Sequence, residues 1–101
     1  MDKILSYVGL ALRGRNCVSG EFSVEQAVKE KKAFLVIIAS DASDNTKKKF
    51  QDMCGDRQIP VLIYAQKASL GQALGQEERA VAAILSEGLA TAIRSIKLDE
   101  D

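Results

Sequence analysis

The stretch Ala33-Phe34-Leu35-Val36-Ile37-Ile38-Ala39 is a continuous apolar run of strand length, rich in β-branched residues. A strand with no polar side to give to water must be covered on both faces, which is the pattern of sheets flanked by helices. The residues on either side of this run should therefore supply two helical layers.

They do so in alternation. Upstream, Asp2 can cap a first helix whose Ile4, Leu5, Val8, Ala11 and Leu12 recur at helical spacing, with Gly14 at its end. A short link holds Cys17 to Ser19, which can pair as an extra edge strand. Val24, Ala27, Val28 and Lys31 then mark the inward face of a second helix. Downstream, Ser43 or Asp44 can cap a third helix carrying the stripe Thr46, Phe50, Met53 and Cys54, with Gly55 suited to a left-handed residue after its end. Pro60 opens a strand over residues 61–65, at the one strand position where proline is easily accommodated. Leu70, Ala73 and Leu74 outline a fourth helix ending at Gly75. Gly71 inside it implies that another backbone passes close by, since glycine within a helix costs roughly 1 kcal/mol relative to alanine. Residues 80–85 form a further buried strand, and Leu89, Ala92, Ile93 and Ile96 a last helix. This order predicts a three-layer α/β/α sandwich around a small mixed, mainly parallel sheet of about four strands. One domain over residues 1–98 is expected, followed by an acidic tail, Asp99, Glu100 and Asp101.

Composition narrows the chemistry. With 101 residues, 47% hydrophobic and 28% charged, the chain has the make-up of an ordinary folded domain. It has no histidine, which removes the commonest general base and metal ligand at neutral pH. Cys17 and Cys54 match neither a disulfide framework nor a metal site, so a reducing, cytoplasmic setting is expected. The stretch Leu70 to Gly75 has the spacing of neither a P-loop nor a dinucleotide fingerprint. No catalytic residue, metal or cofactor is indicated, and no segment marks a membrane span or an export signal. Asp41 follows directly from the first buried strand, where ligands tend to sit in open α/β sheets, yet it has no partner carboxylate. Lys47, Lys48 and Lys49 spread around their helix and read as a solvated outer face.

The start of the second helix is more informative. Phe22, Gln26 and Lys29 share one face, opposite Val24, Ala27 and Val28. Gly20 at the entry leaves backbone N–H groups free where the helix dipole favours an anion. A ring, an amide and a cation on one exposed face suit unpaired RNA bases and phosphate. The competing reading is that Phe22 staples the helix to a neighbouring loop.

Several stretches together resemble one family: Gly9-Leu10-Ala11-Leu12-Arg13-Gly14-Arg15, Val18-Ser19-Gly20-Glu21, Ala27-Val28-Lys29, the run from Leu35 through Asp41 to Lys49, Ile59-Pro60-Val61, and Leu70-Gly71-Gln72-Ala73-Leu74-Gly75. In their order and spacing they are similar to the bacterial YlxQ-like branch of the ribosomal protein seven-Ae and thirty-e family, whose members include binders of the kink-turn, a sharply bent RNA internal loop. The resemblance implies the same sandwich and an RNA surface at the start of the second helix plus the loop after the fourth. It implies structured RNA as partner, through Arg15, Gly20, Glu21, Phe22, Ser23, Gln26, Lys29 and Arg79, with ribosome-associated proteins as further partners. A monomer is expected because no exposed apolar stripe remains once the core faces are assigned, and the missing catalytic groups make an enzyme unexpected.

The match departs from the kink-turn binders at specific places. Phe22 stands where asparagine or lysine is usual, Ser23 where glutamate or glutamine is usual, and Gln26 where lysine is usual. The changes remove a charge-assisted phosphate contact and base-edge hydrogen bonds. Gly75-Gln76-Glu77-Glu78-Arg79 carries carboxylates where apolar side chains usually cover a flipped base. Kink-turn recognition by this chain would therefore have to rest on contacts other than the usual ones. A protein-interaction module on the same fold stands as the alternative.

Overall fold

The computed structural model describes residues 2–100, and side chains as far as Lys97. Nine elements follow one another: α1 (Lys3–Arg13), β1 (Cys17–Ser19), α2 (Glu21–Lys29), β2 (Leu35–Ile38), α3 (Asp44–Asp56), β3 (Val61–Ile63), α4 (Lys67–Ala73), β4 (Val81–Ile84) and α5 (Glu87–Glu100). The strands form one sheet in the order β1-β4-β2-β3. Helices α2 and α3 cover one face, and α1, α4 and α5 pack together on the other. This is the expected three-layer sandwich, and β1 is the edge strand anticipated at Cys17 to Ser19.

Burial explains why β2 and β4 lie in the middle. All four residues of each are buried, as the apolar run required. Ile4, Val8 and Ala11 from α1, Val24, Ala27 and Val28 from α2, Phe50 and Cys54 from α3 and Ile93 from α5 complete one continuous core. The helix starts are capped as their sequences suggest. The Asp2 carboxylate accepts the Leu5 N–H at 3.0 Å and the Tyr64 hydroxyl at 2.6 Å, tying α1 to the end of β3. Ser43 Oγ accepts the Thr46 N–H at 3.1 Å, so Ser43, not Asp44, caps α3.

The direction of the strands corrects one expectation. Only β2 and β3 are parallel; β4 runs antiparallel to both β2 and β1, so the sheet is mixed and mainly antiparallel. The cause lies in the return from α4. A parallel crossover must carry the chain back to the opposite end of the sheet. Here the segment after Gly75 doubles back along α4 instead. The Arg79 N–H reaches the Lys67 carbonyl at 3.1 Å, and a Cβ on Gly71 would lie 2.7 Å from Glu77 O. The chain thus enters β4 at the end where it left β3. The same contact identifies the backbone that Gly71 implied.

Two local expectations also change, while Gly14 ends α1 as expected. Lys31 is exposed and lies beyond α2 with φ 61°, so it ends the helix and does not face the core. Gly55 is inside α3, and the left-handed residue after that helix is Gln58, φ 58°. After Gly14 closes α1, Arg15 takes the left-handed conformation, φ 62°. In each case the helix end is fixed by where the chain must turn back to a strand, which places a non-glycine residue in that region at a modest cost. Helix α5 runs to Glu100 and so includes Asp99 and Glu100 of the expected tail, while Asp101 lies outside the described residues. No helix among the described residues is long and apolar enough to cross a membrane.

Candidate nucleic-acid interface

Gly20 opens α2 with φ 89° and ψ 152°, a conformation essentially restricted to glycine, and no side chain caps the helix. Its own N–H donates to Val81 O at 3.0 Å, which fixes the start of α2 against the start of β4. Its carbonyl accepts the Val24 N–H, while the N–H groups of Glu21, Phe22 and Ser23 have no acceptor among the described residues. Three free donors at the positive end of a nine-residue helix form a ready site for a phosphate or carbonyl oxygen to accept their hydrogen bonds.

Burial divides α2 as its pattern requires. Val24, Ala27 and Val28 are buried, whereas Phe22, Ser23, Gln26 and Lys29 are exposed. Phe22 is the most exposed large apolar residue among the described residues, at 78%. A ring stapled to a loop would be covered, so the stapling alternative fails and the ring stands open to a ligand.

The loop after α4 borders this helix start. Arg79 Nε donates to Ser19 Oγ at 3.0 Å and its Nη1 to Glu78 O at 2.8 Å, so the guanidinium is held one residue before Gly20. Glu77 and Glu78 beside it are exposed.

On the other flank, α3 supplies a residue the sequence reading left among solvated lysines. Lys49 reaches Glu25 at 2.8 Å and Glu21 at 3.9 Å, and lies over the Phe50 ring. Glu25 also pairs with Lys29 at 2.7 Å, and Thr46 Oγ1 donates to Glu21 at 3.3 Å. Hydrogen bonds from Lys29 and Lys49 hold the Glu25 carboxyl down to about 2, and Glu25 in turn raises Lys49. The contacts of Lys49 and Thr46 with α2 link positions about 25 residues apart, and nothing in local sequence marks them, whereas Glu25–Lys29 is an i,i+4 pair within one helix.

The expected site residues therefore divide into two sets. Gly20, Glu21, Phe22, Ser23, Gln26 and Arg79 are brought together at one end of the sheet. Lys29 lies at the far end of α2, engaged with Glu25. Arg15 precedes β1 at its opposite end, where Asn16 O accepts the Leu85 N–H, so the length of β1 separates it from Gly20. Asp41, the other residue singled out, accepts the Lys67 N–H at 2.7 Å and so anchors the start of α4. Burial pushes the Cys17 thiol up to about 12 and the Cys54 thiol up to about 11, where both are neutral and unreactive.

Residues 2–94 match the model of the ribosomal protein L7Ae/L30e/S12e/Gadd45 family. The chain is 38% identical over 89 residues to RNA-binding protein YlxQ of Bacillus subtilis (strain 168), spanning 88% of this chain and 89% of that one. It is 33% identical over 89 residues to RNA-binding protein YlxQ of Enterococcus faecium, with 88% and 85% covered. Among solved structures it is similar to a Bacillus halodurans protein of unknown function, with TM-score 0.91, 40% identity and 95% and 97% of the chains covered. It also resembles a Giardia lamblia 15.5kD RNA binding protein, with TM-score 0.79, 25% identity and 95% and 86% covered.

Proposed function

The chain belongs to the ribosomal protein L7Ae/L30e/S12e/Gadd45 family, and we propose that it binds structured RNA through the start of α2 and the adjoining loop at Arg79. The observation that carries this reading is the exposed Phe22 ring beside three unpaired backbone donors. The RNA-binding description shared by its YlxQ relatives and by the Giardia protein supports the ligand class.

In this reading Gly20 lets the backbone approach the RNA, and the Glu21, Phe22 and Ser23 N–H groups take an oxygen. Phe22 stacks on an unpaired base, Ser23 and Gln26 bond to its edge, and Arg79 meets phosphate. Glu21 braces the helix start through Thr46 and Lys49. Lys29 and Arg15 contact only RNA that extends beyond this surface. The work is binding, not catalysis, in a cytoplasmic and ribosome-associated role.

The local charge argues for base-led recognition. Glu25 already occupies Lys29 and Lys49, and Glu77 and Glu78 stand beside Arg79, leaving few cations for phosphate. A titration of a kink-turn RNA and a matched duplex, each at two salt concentrations, tests this. The expected result is selective binding with a shallow salt dependence; a steep dependence with no preference would reduce the interaction to phosphate attraction. The same carboxylates favour the alternative of a protein-interaction module without RNA recognition, to which absence of binding to both RNAs would point.

A further inference from the structure

Helices α1, α2 and α3 end together, at the end of the sheet opposite Gly20. There Asn16 O accepts the Leu85 N–H, the Phe34 N–H donates to Ile84 O, and Pro60 O accepts the Val36 N–H. Each helix closes in the same way. The N–H groups of Asn16, Lys32 and Ile59 donate to the carbonyls of Ala11, Ala27 and Cys54 at 2.7, 2.9 and 2.9 Å, and those of Arg15, Lys31 and Gln58 to the carbonyls of Leu12, Val28 and Gly55. Last-turn carbonyls that would repel an anion are thereby occupied. The residues in the left-handed conformation are Arg15, Lys31 and Gln58. Glycine fits that position without strain, yet Arg15 and Lys31 set cations there.

Neither cation has an ion pair among the described residues. Lys31 and Arg57 line an open groove of about 530 Å³ between the ends of α2 and α3, with Val28, Ala33 and Ile59 as its apolar lining. Gln58 and Asp56 also line it, and Asp56 pairs with neither cation. Phe34, 41% exposed, enters β2 between Arg15 before β1 and Gln58 before β3. Of the other carboxylates at this end, Glu30 is held by Lys32 at 3.2 Å and Glu87 lies in the first turn of α5. Helix α5 begins here and has reached the Tyr64 ring by Lys97, so its last turn belongs to the other end. Asp2, Glu21, Asp41, Asp44, Glu77 and Glu78 also lie at that Gly20 end. A chain of zero net charge is thus polarised, with its basic end away from Gly20.

We propose that this basic end is a second RNA contact, which holds the phosphate backbone of an unpaired strand. Arg15, Lys31 and Arg57 meet phosphates, the groove takes the sugar between Lys31 and Arg57, and Phe34 stacks on a base. Charge complementarity and an exposed ring among the cations select this occupant. The partner class rests on the RNA reading, whereas the surface itself uses neither Phe22 nor the free donors of α2. Phe22 and Lys31 are nine residues apart, about 14 Å at the rise of a helix, so one RNA can place a base on Phe22 and run its backbone past Lys31. A compact kink-turn held at the Gly20 end leaves the basic end empty, and an unpaired arm of the same RNA reaches it.

The test titrates a labelled oligouridylate of about twelve nucleotides against the Phe22→Ala protein, in which the start of α2 is weakened, at several salt concentrations. With about three phosphates engaged, log affinity should fall with log salt at a slope of about −2. Adding R15Q/K31Q, which keeps the backbone as it is, should weaken binding about tenfold or more at about 50 mM salt and flatten the slope by about 1.4. R15G/K31G should match that loss with a melting temperature within about 5 °C of its parent, since glycine relieves the left-handed strain. K3Q/K48Q removes the same charge elsewhere and should change affinity less than about twofold. Equal losses in K3Q/K48Q and R15Q/K31Q, or no binding up to about 1 mM, overturn the proposal. So would equal affinity for an oligoglutamate of the same length, or self-association in sedimentation that R15Q/K31Q abolishes. Oligouridylate binding that needs Lys31, in a wild type that binds no kink-turn RNA, would refute the reading of the Gly20 end and support this one.

Discussion

Replacing Phe22 with alanine separates RNA recognition from folding. The ring is 78% exposed, so about a fifth of it is covered. At roughly 25 cal/mol per Å² and about 200 Å² for an aromatic side chain, that burial contributes ~1 kcal/mol. Alanine recovers roughly half of this through its higher helix propensity. The variant should melt within about 5 °C of the wild type. Base stacking on an aromatic ring, by contrast, contributes about 1–3 kcal/mol, so affinity for kink-turn RNA should fall roughly 5- to 150-fold. Because no charge is removed, the slope of affinity against salt should not change. Thermal melting and RNA titration at two salt concentrations read all three quantities. Unchanged affinity together with a melting temperature lowered by more than about 10 °C would refute the reasoning, since the ring would then be a packing residue.

Gly71→Ala places a methyl group 2.7 Å from Glu77 O and 2.8 Å from Glu78 Cα, both backbone atoms that cannot rotate aside. A loss of about 1–3 kcal/mol by chemical denaturation is expected, accompanied by weaker RNA binding as the segment carrying Arg79 shifts. Glu25 has its carboxyl depressed to about 2, so its contribution to stability is present above the ordinary value of 4.5 and is lost as pH falls toward 2. Glu25→Gln should flatten the acid limb of a stability-against-pH curve in that window and leave the curve near pH 7 to 9 parallel to that of the wild type. Burial raises the thiols of Cys17 and Cys54, so both should resist iodoacetamide at pH 8 until the protein unfolds. Their contribution to stability is full below the ordinary value of 9.0 and declines as pH rises toward 11 to 12, because the unfolded thiols ionise first.

Much of the fold was legible because its signals are local. The apolar run through Leu35 to Ile38 has one physical solution, a strand covered on both faces, and the spacing of Ile4, Val8 and Ala11 has one, a helix with a buried stripe. Gly20 and the face holding Phe22 and Gln26 were legible for the same reason, since a nine-residue helix and its entry depend on adjacent residues alone. Lys31 and Gly55 were misread, and Gln58 took the left-handed position expected of Gly55, because the end of a helix is set by the strand the chain must next reach.

The amino-acid sequence by itself determined the element order, the two-sided core and the face of α2 offered to a ligand. Tertiary structure alone decided the direction of β4, through the backbone of Glu77 and Glu78 folding back against Gly71. It also decided that Lys49 meets Glu21 and Glu25 across the gap between α2 and α3, that Arg15 lies away from Gly20, and that Phe22 is left uncovered. Periodicity records which side of an element is apolar. Which distant backbone or charge approaches that element depends on how the chain closes its longer loops, and no local pattern carries that information.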